Sequence, residues 1–173
     1  MLNSLKMFSM KRRMLRQSPT GMARYGITGE GRLGISAPAL YAIAKENGKN
    51  HPLALALFAT HIPEAMQVAA MVADPEQLTV ELADEWAAAF NSWDLCDGAC
   101  QNLFVKSPLA WTLVKRWAGS EEEFVKRAAF SLIAYLAVHD KAAGDRKFIA
   151  ALKLVRGAAQ DERNYVKKAV NWA

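Results

Sequence analysis

The chain has 173 residues, is 52% hydrophobic and carries a formal net charge of +5. That length suits one compact domain, and that apolar content excludes a disordered chain. No apolar run is long enough to span a bilayer, and two cysteines give no disulfide framework, which fits a reducing cytosol.

Charge is unevenly placed. Residues 1–35 carry seven Lys/Arg and one Asp/Glu, residues 36–101 carry two and nine, and residues 102–173 carry thirteen and seven. Two basic ends flank an acidic middle, an arrangement that suits a polyanion, although charge alone favours an ordinary unevenly charged surface. The opening stretch MLNSLKMFSMKRRMLRQ scatters its charges through apolar positions, without an h-region or a small-residue cleavage site, so a signal peptide is not expected. Residues 1–21 are expected to form a basic, helical and flexible segment. Its stretch 6–16 suits phosphates or a membrane surface, and equally the solvated start of a first helix. A single domain is expected over 22–173.

From there the pattern is helical. SAPALYAIAKENGKN opens with Ser36 as N-cap and Pro38 in the first turn, and stops at Gly48. HPLALALFATHI again starts with a proline, and PEAMQVAAMVADP runs from Pro63 to the residue before Pro75. Thr79 caps a helix with Leu82, Trp86, Ala89 and Phe90 on one side. Ser92 caps the next, and Ser107-Pro108 begins another. In SEEEFVKRAAFSLIAYLAVHD, Ser120 and Glu123 have capping-box spacing, and Phe124, Ala128, Leu132 and Leu136 form a buried stripe. Asp145 is expected to cap a helix reaching about Arg156. Asp161 is expected to cap the last one, with Tyr165, Val166, Ala169, Val170 and Ala173 inward. No segment reads as a strand. Eight or nine helices joined by short turns pair into units of about 30–45 residues, the scale of helical repeats. A stacked helical solenoid is the first expectation and a globular helical bundle the second.

In FNSWDLCDGACQNLF, a helix starting at Ser92 places Trp93, Cys96, Asp97, Cys100 and Phe104 on one face. Asp97 is then an acid in an apolar stripe, costly unless compensated. Either it pairs with a lysine or arginine or caps a neighbouring helix, or it faces a cleft and meets a cation. The stretch alone favours pairing. Arg127, beside Lys126, borders a core stripe, where an arginine pairs with an acid, snorkels or clamps a phosphate. Trp172 lies one step off the inward stripe of the last helix and four residues from Lys168. Arg163, Lys167 and Lys168 make a basic face there, of a kind that is usually only solvated. Cys96 and Cys100 read as buried thiols rather than ligands, and His51, His61 and His139 are too scattered for a catalytic or metal set. Neither a nucleophile elbow nor a phosphate-cradling glycine loop is present.

Taken together, MARYGI, GISAPALYAIAKENGKNHPLALALFAT, FNSWDLCDGACQNLF, EEEFVKRAAFSLIAYLAVHDK and DERNYVKKAVNWA resemble the DNA alkylation repair family of AlkD-type DNA glycosylases. The resemblance runs from about Met22 to Ala173. It implies an all-α, curved solenoid of HEAT-like antiparallel helix pairs that holds duplex DNA on its concave face. It implies hydrolysis of the N-glycosidic bond of cationic N3- or N7-alkylated purines, as in base-excision repair. On that resemblance Asp97, Trp93 and Trp172 are the candidate catalytic residues. Arg127 is the phosphate contact near the lesion, and Lys126, Arg163, Lys167 and Lys168 are candidate DNA-binding residues.

An alkylated purine is already a cationic leaving group, so the site needs no general acid. Positive charge develops on the sugar, and a placed carboxylate would stabilise it and orient water. Tryptophan faces would attract the cation by about 0.5–2 kcal/mol. No metal or organic cofactor is implied. The implied partner is double-stranded DNA carrying alkylated purines, with no membrane and no obligate protein partner. The implied protein is a cytoplasmic monomer, associated with the nucleoid when bound to DNA. Two other classes stay open: a non-catalytic HEAT-like protein binding damaged or structured DNA, and a helical scaffold for another protein.

Overall fold

Prolines, small residues and a few side-chain caps decide where this chain turns. The computed structural model describes residue 27 and residues 31–173; the segment 1–21 and most of MARYGI lie outside them. Every regular element among the described residues is helical, as the spacing of apolar residues predicts. They divide into two compact units, one ending at Gln77 and one spanning Leu78–Ala173.

In the first unit, α1 (Ala37–Asn47) carries a proline in its first turn and buries Ala39, Leu40, Ile43 and Ala44. It ends at Gly48, whose φ of 60° is a conformation glycine adopts without steric cost. Helix α2 (His51–Phe58) is capped by Asn50, whose Oδ1 accepts from the Leu53 amide at 3.1 Å. Helix α3 (Pro63–Val72) packs against both. Lys49 Nζ donates to the Met71 and Ala73 carbonyls at 3.2 and 2.7 Å, placing a cation at the negative end of α3. At the other end Glu64 is buried, and its two oxygens accept from the Leu33 and Gly34 amides at 3.0 and 2.8 Å. Those bonds offset the cost of burying a carboxylate.

The second unit is organised around α7 (Glu123–His139), the longest helix, with nine buried residues. Helices α4 (Val80–Ala88), α5 (Trp93–Asn102), α6 (Ala110–Trp117), α8 (Asp145–Gly157) and α9 (Asn164–Trp172) all pack against it. Thr79 caps α4 as expected, its Oγ1 accepting from the Leu82 amide at 3.1 Å. The face of α4 turns by one position: Ala83, Trp86, Ala87 and Phe90 are buried, while Leu82 and Ala89 are half-buried. Phe104 stands edge-on to Trp117 at 5.2 Å and tilted against Phe90 at 6.3 Å. Asp84 on α4 accepts from Trp117 Nε1 at 2.8 Å and from Arg116, tying α4 to α6.

Five expected side-chain caps do not form, the first at Ser36, which holds the N-cap position of α1 without a side-chain bond. Ser92 and Ser120 precede α5 and α7, but neither side chain caps its helix. Ser120 Oγ accepts from the Glu122 amide, and the Glu123 carboxylate reaches away to the Tyr165 amide at 3.0 Å, so tertiary packing claims the acid that a capping box requires. Asp161 turns to the amide and side chain of Arg163, so α9 starts only at Asn164. Gly144, not Asp145, holds the N-cap position of α8. In α9, Val166, Ala169 and Val170 are buried, whereas Tyr165 and Ala173 are half-buried.

Candidate functional site

Helix α5 sets Trp93 and Asp97 one turn apart, and its apolar side buries Leu95, Cys96, Ala99 and Cys100. The Sγ atoms of Cys96 and Cys100 each donate at 3.5 Å to a carbonyl of α7, those of Phe124 and Ala128. This close approach of two helices turns Asp97 toward Arg127. Burial pushes the Cys96 thiol up, with the neighbouring Cys100 and Asp97 adding to it, which marks a structural thiol rather than a nucleophile.

Asp97 accepts three hydrogen bonds from two residues. Arg127 Nε donates to Oδ1 at 3.0 Å and Nη2 donates to Oδ2 at 2.7 Å, the parallel geometry of a bidentate pair. Ser131 Oγ, one turn further along α7, donates to Oδ1 at 2.9 Å. The third nitrogen of Arg127, Nη1, donates to the Tyr165 carbonyl on α9 at 2.7 Å. The two side chains are only 8% and 14% exposed for Arg127 and Asp97. Burial works against the guanidinium charge, but the bonds and charge of Asp97 outweigh it and raise the Arg127 pKa. Of the two readings open for Asp97, the structure realises the first: the acid pairs with an arginine, Arg127.

The bonds leave a remainder. A carboxylate has about four lone-pair positions. Oδ1 uses two and Oδ2 one, so one acceptor position on Oδ2 is left. Two N–H groups of Arg127 are likewise left over from its five. Beside Asp97, Gly98 has open space where a side chain would stand.

Trp172 lies on α9, half exposed at 50%, with its ring edge-on to Tyr135 at 4.9 Å. Arg127, Ser131 and Tyr135 are spaced by four residues, so one strip of α7 meets Asp97 from α5 and Trp172 from α9. Tyr165 packs on Phe124 at 5.2 Å, and Lys168 Nζ lies 5.9 Å from the Tyr165 ring. The structure thus brings Asp97 and Arg127 into contact and sets Trp172 on the same strip. Trp93 is half-buried one turn before Asp97.

The other basic residues fall into two sets. Lys126 donates toward Asp161 at 3.0 Å, and Arg163 forks onto the same carboxylate. Arg163, then burial in opposition, then Lys126 govern Asp161, and the net effect holds its carboxyl well below the usual carboxylate range. Lys167 is exposed and pairs only with the exposed Glu162. Ser131, Tyr135 and the Tyr165 carbonyl are the site groups that composition did not single out. The available signal was polar residues at spacing four along an otherwise apolar helix.

No group of three or more His, Cys, Asp or Glu among the described residues could hold a metal ion. Among the described residues no helix is long and apolar enough to cross a membrane.

A solved structure described as "A new family of proteins related to the HEAT-like repeat DNA glycosylases with affinity for branched DNA structures" superimposes with a TM-score of 0.83. The match covers 96% of this chain and 72% of that one, at 22% sequence identity. At that identity the likeness establishes the fold, a HEAT-like arrangement of helices. No curated protein matches the sequence. The family profile described as "DNA alkylation repair enzyme" matches residues 13–173, nearly the whole chain, and the chain belongs to that family.

Proposed function

We propose that the protein is a monofunctional DNA glycosylase that hydrolyses the N-glycosidic bond of cationic N3- or N7-alkylated purines in duplex DNA. The observation that carries this reading is the Asp97 carboxylate, oriented by three donors yet with one acceptor position left on Oδ2.

A cationic purine departs with the electron pair of its glycosidic bond, and the sugar becomes an oxocarbenium ion. An oxygen already oriented needs no reorganisation as that charge appears. Arg127 offsets the carboxylate at long range. A sugar in contact with Oδ2 is closer to that oxygen than to the guanidinium, so attraction prevails where the chemistry occurs. The same acceptor position can take a proton from the attacking water. Trp172, half exposed and braced edge-on by Tyr135, offers a ring face for the cationic base, and Trp93 the same from α5. The two free N–H groups of Arg127 suit a phosphate, and Lys167 and Lys168 suit others along α9. No cofactor enters this scheme.

One observation favours a second reading. A bidentate pair this complete is also a good tie between α5 and α7, and a protein that binds structured DNA without cutting glycosidic bonds needs Asp97 for nothing more. The relative with affinity for branched DNA makes that the natural alternative. Asp97→Asn keeps the shape of the side chain and separates the two. With methylated duplex DNA, the wild type is expected to release methylated purine and the variant, folded by circular dichroism, to release none above background. A wild type that releases no base leaves the binding reading in place, and tighter binding of branched than of linear duplexes supports it.

A further inference from the structure

We propose that Ser131 is a positioning residue for Asp97: its hydroxyl sets the plane of the carboxylate so that the remaining Oδ2 acceptor position faces the substrate. The inference rests on the glycosylase reading above and deepens it.

Ser131 lies in the middle of α7 between Phe130 and Leu132, and all three are fully buried at 0% exposure. A polar group at such a position costs free energy unless it is bonded, and alanine would pack there without that cost. A serine inside a helix ordinarily returns its hydroxyl to the carbonyl four residues back, which here is that of Arg127. Instead Oγ donates across 34 residues of sequence to Asp97 Oδ1 at 2.9 Å.

Arg127 alone does not determine the carboxylate's orientation. Its two parallel bonds run to Oδ1 and Oδ2, and the carboxylate can still tilt about the line joining its oxygens. A third donor, from a different residue and direction, removes that freedom. It also fills the second position on Oδ1, so that Oδ2 alone has room for water or sugar. The rate of glycosidic cleavage is sensitive to such placement, whereas the binding of a duplex through phosphates is not.

The test uses the full chain under single-turnover conditions, with duplex DNA containing N7-methylguanine. Ser131→Ala deletes the donor. Ser131→Cys nearly keeps the shape but donates weakly, and it carries the test if the alanine variant loses its fold. Both are expected to release base about ten-fold more slowly than the wild type. Their affinity for undamaged duplex is expected to stay within about two-fold of the wild type. A cysteine variant with the wild-type rate beside a slow alanine variant overturns the proposal, because packing alone then explains the residue. So does an alanine variant with the wild-type rate, or a rate loss matched by an equal loss of duplex affinity. A wild type that releases no base overturns this inference together with the reading it rests on. An active wild type with unaffected variants overturns this inference alone.

Discussion

Arg127 and Asp97, thirty residues apart in sequence, face each other as a fork on a fork, at 3.0 and 2.7 Å. Because the same guanidinium also reaches the Tyr165 carbonyl, one side chain joins α5, α7 and α9. A residue in that position serves the fold as well as any DNA phosphate.

Stability separates those roles. Arg127→Ala leaves a mostly buried carboxylate with Ser131 as its one remaining donor. Urea denaturation is expected to show a loss of about 3–5 kcal/mol. Asp97→Ala in the same background removes the orphaned charge, so the double variant should lose less than the sum of the singles, by at least about 1 kcal/mol. Strict additivity in that cycle contradicts the pairing.

Lys167 and Lys168 offer the cleaner measure of phosphate binding. Lys167 pairs with a fully solvated Glu162, a contact worth at most about 1 kcal/mol, so it is free to exchange that partner for DNA. Replacing both lysines with alanine should weaken binding to every duplex alike. The slope of log K against log salt should fall in magnitude by about 2. Lys126 and Arg163, both engaged with Asp161, should contribute less to that slope than the two lysines of α9. A loss confined to one DNA sequence would argue against phosphate contacts by either pair.

Asp161 links the fold to pH. Its folded-state pKa lies below the ordinary aspartate value of about 3.9, so the unfolded chain binds the proton more readily. The stabilisation is therefore fully present above that ordinary value. It is lost as pH falls through the ordinary value towards the lower folded one. Asp161→Asn should destabilise the protein at neutral pH and flatten the decline of melting temperature below about pH 4. An unchanged acid limb in the variant would show that other carboxylates carry it.

Much of the architecture was legible from local pattern. Pro38, Pro63 and Thr79 mark helix starts, and Gly48 marks an end, because proline geometry, a hydroxyl cap and a positive φ are properties of single residues and their near neighbours. The four-residue spacing of Trp93 and Asp97 likewise needs only helical geometry. The capping box at Ser120 failed for the opposite reason: Glu123 had a competing partner in Tyr165, 42 residues away, which no local rule could weigh.

By itself the sequence determined that this chain is helical, where its helices break, and that an acid sits one turn from a tryptophan on an otherwise apolar face. Only the tertiary structure decided which cation meets that acid, that a buried serine gives it a third donor, and that Lys126 and Arg163 converge on Asp161. Periodicity reports which side of a helix is buried. The choice of partner depends on how helices distant in sequence come to lie against one another, and that is settled by the packing of the whole core.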